Sequence, residues 1–186
     1  MKKPELKVTI LSDYICPFCF IGHLRLDALR DIYDVKVNWC FIEIHPETPI
    51  TGHSVKLLNY NEDTWDTMMR NLHILAKEEN ITFCEQTITT NSRKALLLSE
   101  ASKSLGADLF YPLHEEIFHA YFIDGKNIGD ESVLREIAKN NNIPENIVIQ
   151  ARSEPTFIIG DEMLPGVATR EKLLAAAASQ ISQLNG

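Results

Sequence analysis

Four residues carry the most readable chemistry in the chain: Cys16, Pro17, Phe18 and Cys19, within Ser12-Asp13-Tyr14-Ile15-Cys16-Pro17-Phe18-Cys19-Phe20-Ile21-Gly22. Two cysteines separated by two residues can close and reopen a disulfide, and the thiolate is the form that attacks another disulfide. Helix position decides which sulfur does so. A cysteine at a helix start faces unpaired N–H groups and the positive end of the dipole, which lower its pKa from about 8.5 into roughly the 3.5–7.5 range. Cys16 is therefore the expected nucleophile, and Cys19, one turn further in, the residue that resolves the mixed disulfide. Two plainer readings compete. The pair could be half of a zinc site, with His23 the only other nearby candidate ligand, or it could be incidental.

The flanking pattern is what puts the pair at a helix start. Lys7 to Ser12 is short, apolar and β-branched, as a buried strand is. From Phe20 to Ile32 apolar residues recur mostly at three- and four-residue steps with charges between them, the signature of an amphipathic helix, and Pro17 suits its first turn. Val35 to Ile44 reads as a second strand. Strand, helix, strand is a βαβ unit and predicts parallel pairing.

After the loop Pro46 to Gly52 the strand signal vanishes for about a hundred residues. Trp65, Met68, Met69, Leu72, Leu75 and Ala76 form a helical stripe, and three more follow to Ala138, the last capped by Asp130. Strand character returns at 155–160, a turn at Asp161-Glu162 suggests a hairpin, and Thr169 caps a final helix through Leu184. The expected fold is α/β: a thioredoxin-like arrangement, βαβ then ββα, with an all-helical insertion. Residues 1–58 and 147–186 would form the thioredoxin-like part, and 59–146 the insertion.

The bulk properties narrow the function. An excess of 26 acidic over 18 basic side chains gives a formal charge of −8, which repels phosphate backbones and sets nucleic acid aside. The N-terminal segment has no signal-peptide apolar region and no run reaches membrane-span length, so a cytoplasmic location is expected. Cys40 and Cys84 read as buried or partly buried small hydrophobes. His114 and His119 are five residues apart and face different sides of a helix, and 124–130 lacks the ligands of a calcium loop. No metal site is expected.

The segment Asp13 to Gly22 resembles the active-site segment of the DsbA-like thioredoxin-fold oxidoreductases, in particular their FrnE-like branch, where Cys-Pro-aromatic-Cys precedes aromatic-Ile-Gly. Further landmarks follow in order: Phe41-Ile42-Glu43-Ile44-His45-Pro46, Asn91-Ser92-Arg93-Lys94-Ala95, Phe118-His119-Ala120-Tyr121-Phe122 and Glu154-Pro155-Thr156-Phe157. The resemblance implies a redox-active Cys16–Cys19 disulfide without a further cofactor, and a cis-proline at Pro155 packed against it. On its residues alone, Pro155 equally suits a trans proline opening an edge strand.

Two departures from the family pattern carry expectations. The segment before Pro155 is short and ends in Glu154, whose carboxylate would disfavour a thiolate at Cys16 if it lay close, and do little if it pointed into solvent. Phe18 supplies no charge where some relatives have histidine, which predicts a more reducing couple than DsbA and makes Phe18 part of an apolar docking surface; Pro17, Phe18, Glu154, Pro155 and Thr156 are the residues expected to bind substrate and shape the site. The expected function is thiol–disulfide exchange with protein or small thiol substrates, with glutathione a possible co-substrate and the chain a monomer or homodimer. The rivals are a glutathione-dependent isomerase or transferase of the 2-hydroxychromene-2-carboxylate isomerase and kappa-class type, which generally carries serine in place of Cys16, and a holdase-like protein binding clients through Met68 and Met69.

Overall fold

The computed structural model describes residues 2–58, 60–150, 156–159, 162–165 and 169–184. Strand β1 (Glu5–Ser12) runs parallel to β2 (Asp34–Phe41), in register from Glu5 opposite Asp34 to Ser12 opposite Phe41. Helix α1 (Pro17–Arg30) makes the crossover, its first residue a proline and its buried side formed by Phe20, Ile21, His23 and Leu26. This is the expected βαβ unit, and it sets the cysteine pair at the end of β1.

Two short strands interrupt the stretch that the sequence presents as helical. β3 (His53–Ser54) pairs antiparallel with β4 (Ile88–Thr89), and two residues are too few to show a period. Gly52 makes their approach possible: at φ 75° its Cβ position lies 2.5 Å from the Thr89 carbonyl oxygen, a spacing that excludes any side chain.

The helical block comprises α2 (Glu62–Glu78), α3 (Arg93–Ser102), α4 (Ala107–Phe122), α5 (Glu131–Asn140) and the short α6 (Glu145–Gln150). Asn61 caps α2 by accepting the Thr64 N–H at 2.7 Å, and Asp130 caps α5 by accepting that of Ser132 at 2.8 Å. β5 (Thr156–Ile159) and β6 (Glu162–Pro165) form the expected hairpin, and Thr169 Oγ1 accepts the Lys172 N–H at the start of α7 (Arg170–Leu184). Among the described residues the strands pair as three two-stranded sheets: β1 with β2, β3 with β4, and β5 with β6.

One large core joins the cysteine-bearing segment to the helices: Tyr14, Ile15 and Phe20 pack with Leu98, Leu113, Ile117, Phe118 and Ile137. Tyr14 is fully buried, and its hydroxyl is satisfied by Ser99 Oγ at 2.6 Å and His114 Nδ1 at 2.5 Å. A buried phenol with partners on two helices fixes the backbone two residues ahead of Cys16.

The same core encloses two neutral imidazoles. His23 and His114 have ring centroids 4.9 Å apart, and burial lowers His23 from 6.5 to about 4 and His114 well below its ordinary value. Unfolding frees both to bind protons at 6.5, so their contribution to stability is complete above that pH and is lost as pH falls toward 4. Stability should decline across this window with a slope approaching about 1.4 kcal/mol per pH unit per histidine. Urea midpoints at successive pH values check this; replacing His23 with Leu should flatten the profile, and an unchanged slope would contradict the assignment.

Candidate active site

Cys16 occupies the N-cap of α1 with extended backbone angles, φ −93° and ψ 110°. Its carbonyl accepts the N–H groups of Cys19 at 3.0 Å and Phe20 at 3.3 Å, and its own N–H donates to the Asp13 carbonyl at 3.2 Å. A tight turn therefore delivers the sulfur to the helix start.

Asp13 holds that turn from below. It is completely buried, with Oδ1 accepting the Ile15 N–H at 3.3 Å and Oδ2 the Ile44 N–H at 2.8 Å, which ties the entry of α1 to the chain leaving β2. Burial raises its pKa, while hydrogen bonds from Ile44, Ser92 and Ile15 hold the rise back.

Both thiols are free and partly buried, and they hydrogen-bond to one another. Such a pair loses its first proton readily and its second reluctantly. Cys19, accepting from Cys16, is lowered to about 6, while the bond to Cys19 and burial push Cys16 up. The reduced pair therefore shares its first negative charge between the two sulfurs, and the contact that draws one thiol down pushes the other up. Moving the bridging proton to Cys19 places the charge on Cys16 with no further proton lost, and the helix-start amides of Cys19 and Phe18 favour that form without closing a cap hydrogen bond.

Ser12 is a member of the site that the sequence does not flag. Its hydroxyl is buried beside Cys19 and lowers that thiol's pKa by donating to the sulfur as it becomes charged. Ser12→Ala should raise the pH at which the pair loses its first proton by about one unit, the scale of a hydrogen bond to a charged sulfur. Ultraviolet thiolate absorbance against pH reads the shift; an unmoved titration would remove Ser12 from the site.

Next to the pair lies a cavity of about 560 Å³, walled by the start of α1, the chain after β2, α2, residues 83–89 and the end of α4. Cys16, Pro17 and Phe18 line it, and Cys19 is not among the lining residues. Phe18 is 36% exposed. The rest of the lining is mostly apolar and includes Trp65, Met68, Phe83 and Tyr121, with His45, His73, Glu85 and Gln86 among them. Met68 and Met69 of the helical stripe thus line the same cavity as Cys16. Cys84 also borders the cavity, its thiol pushed up by burial, and Gln86 bonds both its sulfur and the Tyr121 carbonyl.

Among the described residues no three His, Cys, Asp or Glu side chains converge to hold a metal. His23, the ligand a zinc reading needs, is buried against Trp39, His114 and Phe118. Glu154 and Pro155 lie outside the described residues, and Thr156 begins β5.

The family model of the DSBA-like thioredoxin domain matches residues 7–154, which include both cysteines, Asp13 and the helical block. The chain belongs to the DSBA-like thioredoxin domain family. Members of this family are generally oxidoreductases. Its full-length likenesses are distant: the uncharacterized protein YwbO of Bacillus subtilis is 22% identical, over 88% of this chain and 92% of YwbO. The probable DsbA oxidoreductase SCO1869 from Streptomyces coelicolor superposes with a TM-score of 0.64 at 16% identity, covering 95% of this chain and 90% of that one. The cytosolic disulfide reductase DsbM from Pseudomonas aeruginosa, solved with GSH, superposes at 0.57 and 16% identity, covering 97% and 100%. These likenesses support the DSBA-like fold. No helix among the described residues is long and apolar enough to cross a membrane.

Proposed function

We propose that this chain exchanges disulfides with thiol substrates in the cytoplasm, as a member of the FrnE-like branch, with Cys16 as the nucleophile and Cys19 as the resolving thiol. The observation that carries the assignment is the asymmetry of the pair: Cys16 lines the cavity at the helix start, and Cys19 does not. An incoming disulfide meets Cys16 first. The Cys16 thiolate attacks one substrate sulfur, forming a mixed disulfide and expelling the other half as a thiolate. Cys19 then loses its proton and attacks the Cys16 sulfur, releasing the second half and leaving the Cys16–Cys19 disulfide. The substrate gains two electrons and the protein loses them; the reverse sequence oxidises a dithiol.

Cys16 in place of a serine speaks against the isomerase and transferase reading. Met68 and Met69, the surface of the holdase reading, border the same cavity as Cys16, which favours a role for them in seating a redox substrate. The test is single turnover: reduced protein mixed with 2-hydroxyethyl disulfide should consume it stoichiometrically and acquire one disulfide, mapped by peptide mass to Cys16 and Cys19. Oxidation at Cys40 or Cys84 instead, or no consumption, would overturn the proposal.

A further inference from the structure

The cavity beside Cys16 restricts what the substrate thiol can be. Its described lining includes no lysine or arginine, and its one carboxylate belongs to Glu85. Glutathione carries two carboxylates against one ammonium, which Glu85 can pair, so two anionic groups and a net negative charge remain to be housed. Both would enter a mostly apolar space where the described lining offers only the His45 and His73 imidazoles to receive them, on a protein whose formal charge is −8. By contrast, Trp65, Met68, Phe83 and Tyr121 offer aromatic and thioether surface suited to an uncharged ring or chain. A volume of about 560 Å³ is that of a small-molecule site.

We infer that the cavity selects a low-molecular-mass, uncharged disulfide with an apolar body, seated against Trp65 and Met68 while Cys16 attacks its sulfur. This rests on the redox reading above and adds the substrate class. The reaction is the balanced exchange already given: one substrate disulfide is reduced to two thiols as Cys16 and Cys19 are oxidised.

The test compares three disulfides in single-turnover reactions with the reduced protein: glutathione disulfide, the disulfide of N-phenylacetylcysteine methylamide, and an unfolded polypeptide disulfide. Each rate is divided by that disulfide's rate with dithiothreitol, which removes intrinsic reactivity. The aryl-capped neutral disulfide should exceed glutathione disulfide by about tenfold or more, the scale of burying an aromatic ring. Met68→Lys, which puts a cation on the rim of α2, should shrink that preference about tenfold by favouring the anionic substrate and opposing the apolar one. Equal or faster reaction of glutathione disulfide or of the polypeptide, or an unaltered preference in the variant, would overturn the substrate class and leave the redox function standing. Failure of all three to react would overturn the redox function itself.

Discussion

Cys16→Ser should reduce disulfide exchange to the uncatalysed background, whereas Cys19→Ser should preserve the first step and halt at a mixed disulfide. The difference follows from access. The Cys16 sulfur borders the cavity at the mouth of α1, and Cys19 sits behind it as its hydrogen-bond partner. A serine at position 16 leaves no nucleophile in the cavity wall adjoining Phe18, even though Cys19 remains a thiol. A serine at position 19 removes the partner that attacks the Cys16 sulfur, so the substrate half stays attached. Intact mass after incubation with excess 2-hydroxyethyl disulfide reads both outcomes: no adduct on the first variant and a single stable adduct at Cys16 on the second. An adduct at Cys19 in Cys16→Ser, formed as fast as in the native chain, would reverse the two roles.

Phe118→Ala should cost about 3–5 kcal/mol of stability, the range for emptying a buried aromatic site. Phe118 is fully buried and its ring lies 4.7 Å from Tyr14, 5.2 Å from Phe20 and 5.1 Å from His114. Those partners belong to the segment before Cys16, to α1 and to α4 itself, so the cavity left behind has rigid walls anchored on three sides. The Tyr14 hydroxyl, held between Ser99 and His114, keeps its ring from swinging in to fill the space. A domain of this size is stable by only about 5–15 kcal/mol, so the variant should unfold at markedly lower urea. A loss below about 1 kcal/mol would mean that the core collapses freely around the missing ring.

The parts of this molecule that could be read from sequence are those with a local period. The β-branched run at 7–12, the apolar stripe of α1 and the strand after it specify the βαβ unit and the cysteine pair at its turn. The hairpin and the caps at Asp130 and Thr169 follow from equally local signals. Contacts between distant residues are not written in any window. Tyr14 and His114 are a hundred positions apart, and nothing in either neighbourhood announces their hydrogen bond. The cavity has the same origin. Trp65 and Met68 carry a helical stripe whose spacing shows that one side of α2 is apolar, but not that this side faces a thiol. Ser12 and Asp13 read as strand-ending polar residues, and only their burial turns them into supports of the pair. The coupling of the two thiols was also hidden, because a helix start speaks only of Cys16, while the contact between the sulfurs ties the titration of each to the other.

The central claim, that Cys16 and Cys19 act as one redox unit, is tested most directly by following alkylation of the reduced protein against pH, alongside equilibration of the pair with glutathione buffers. The expected result is a single thiolate formed well below the ordinary value of about 8.5, together with a Cys16–Cys19 disulfide that forms and reopens across the buffer range. Two thiols that both titrate at about 8.5 or above, with no disulfide between them at any buffer ratio, would contradict it.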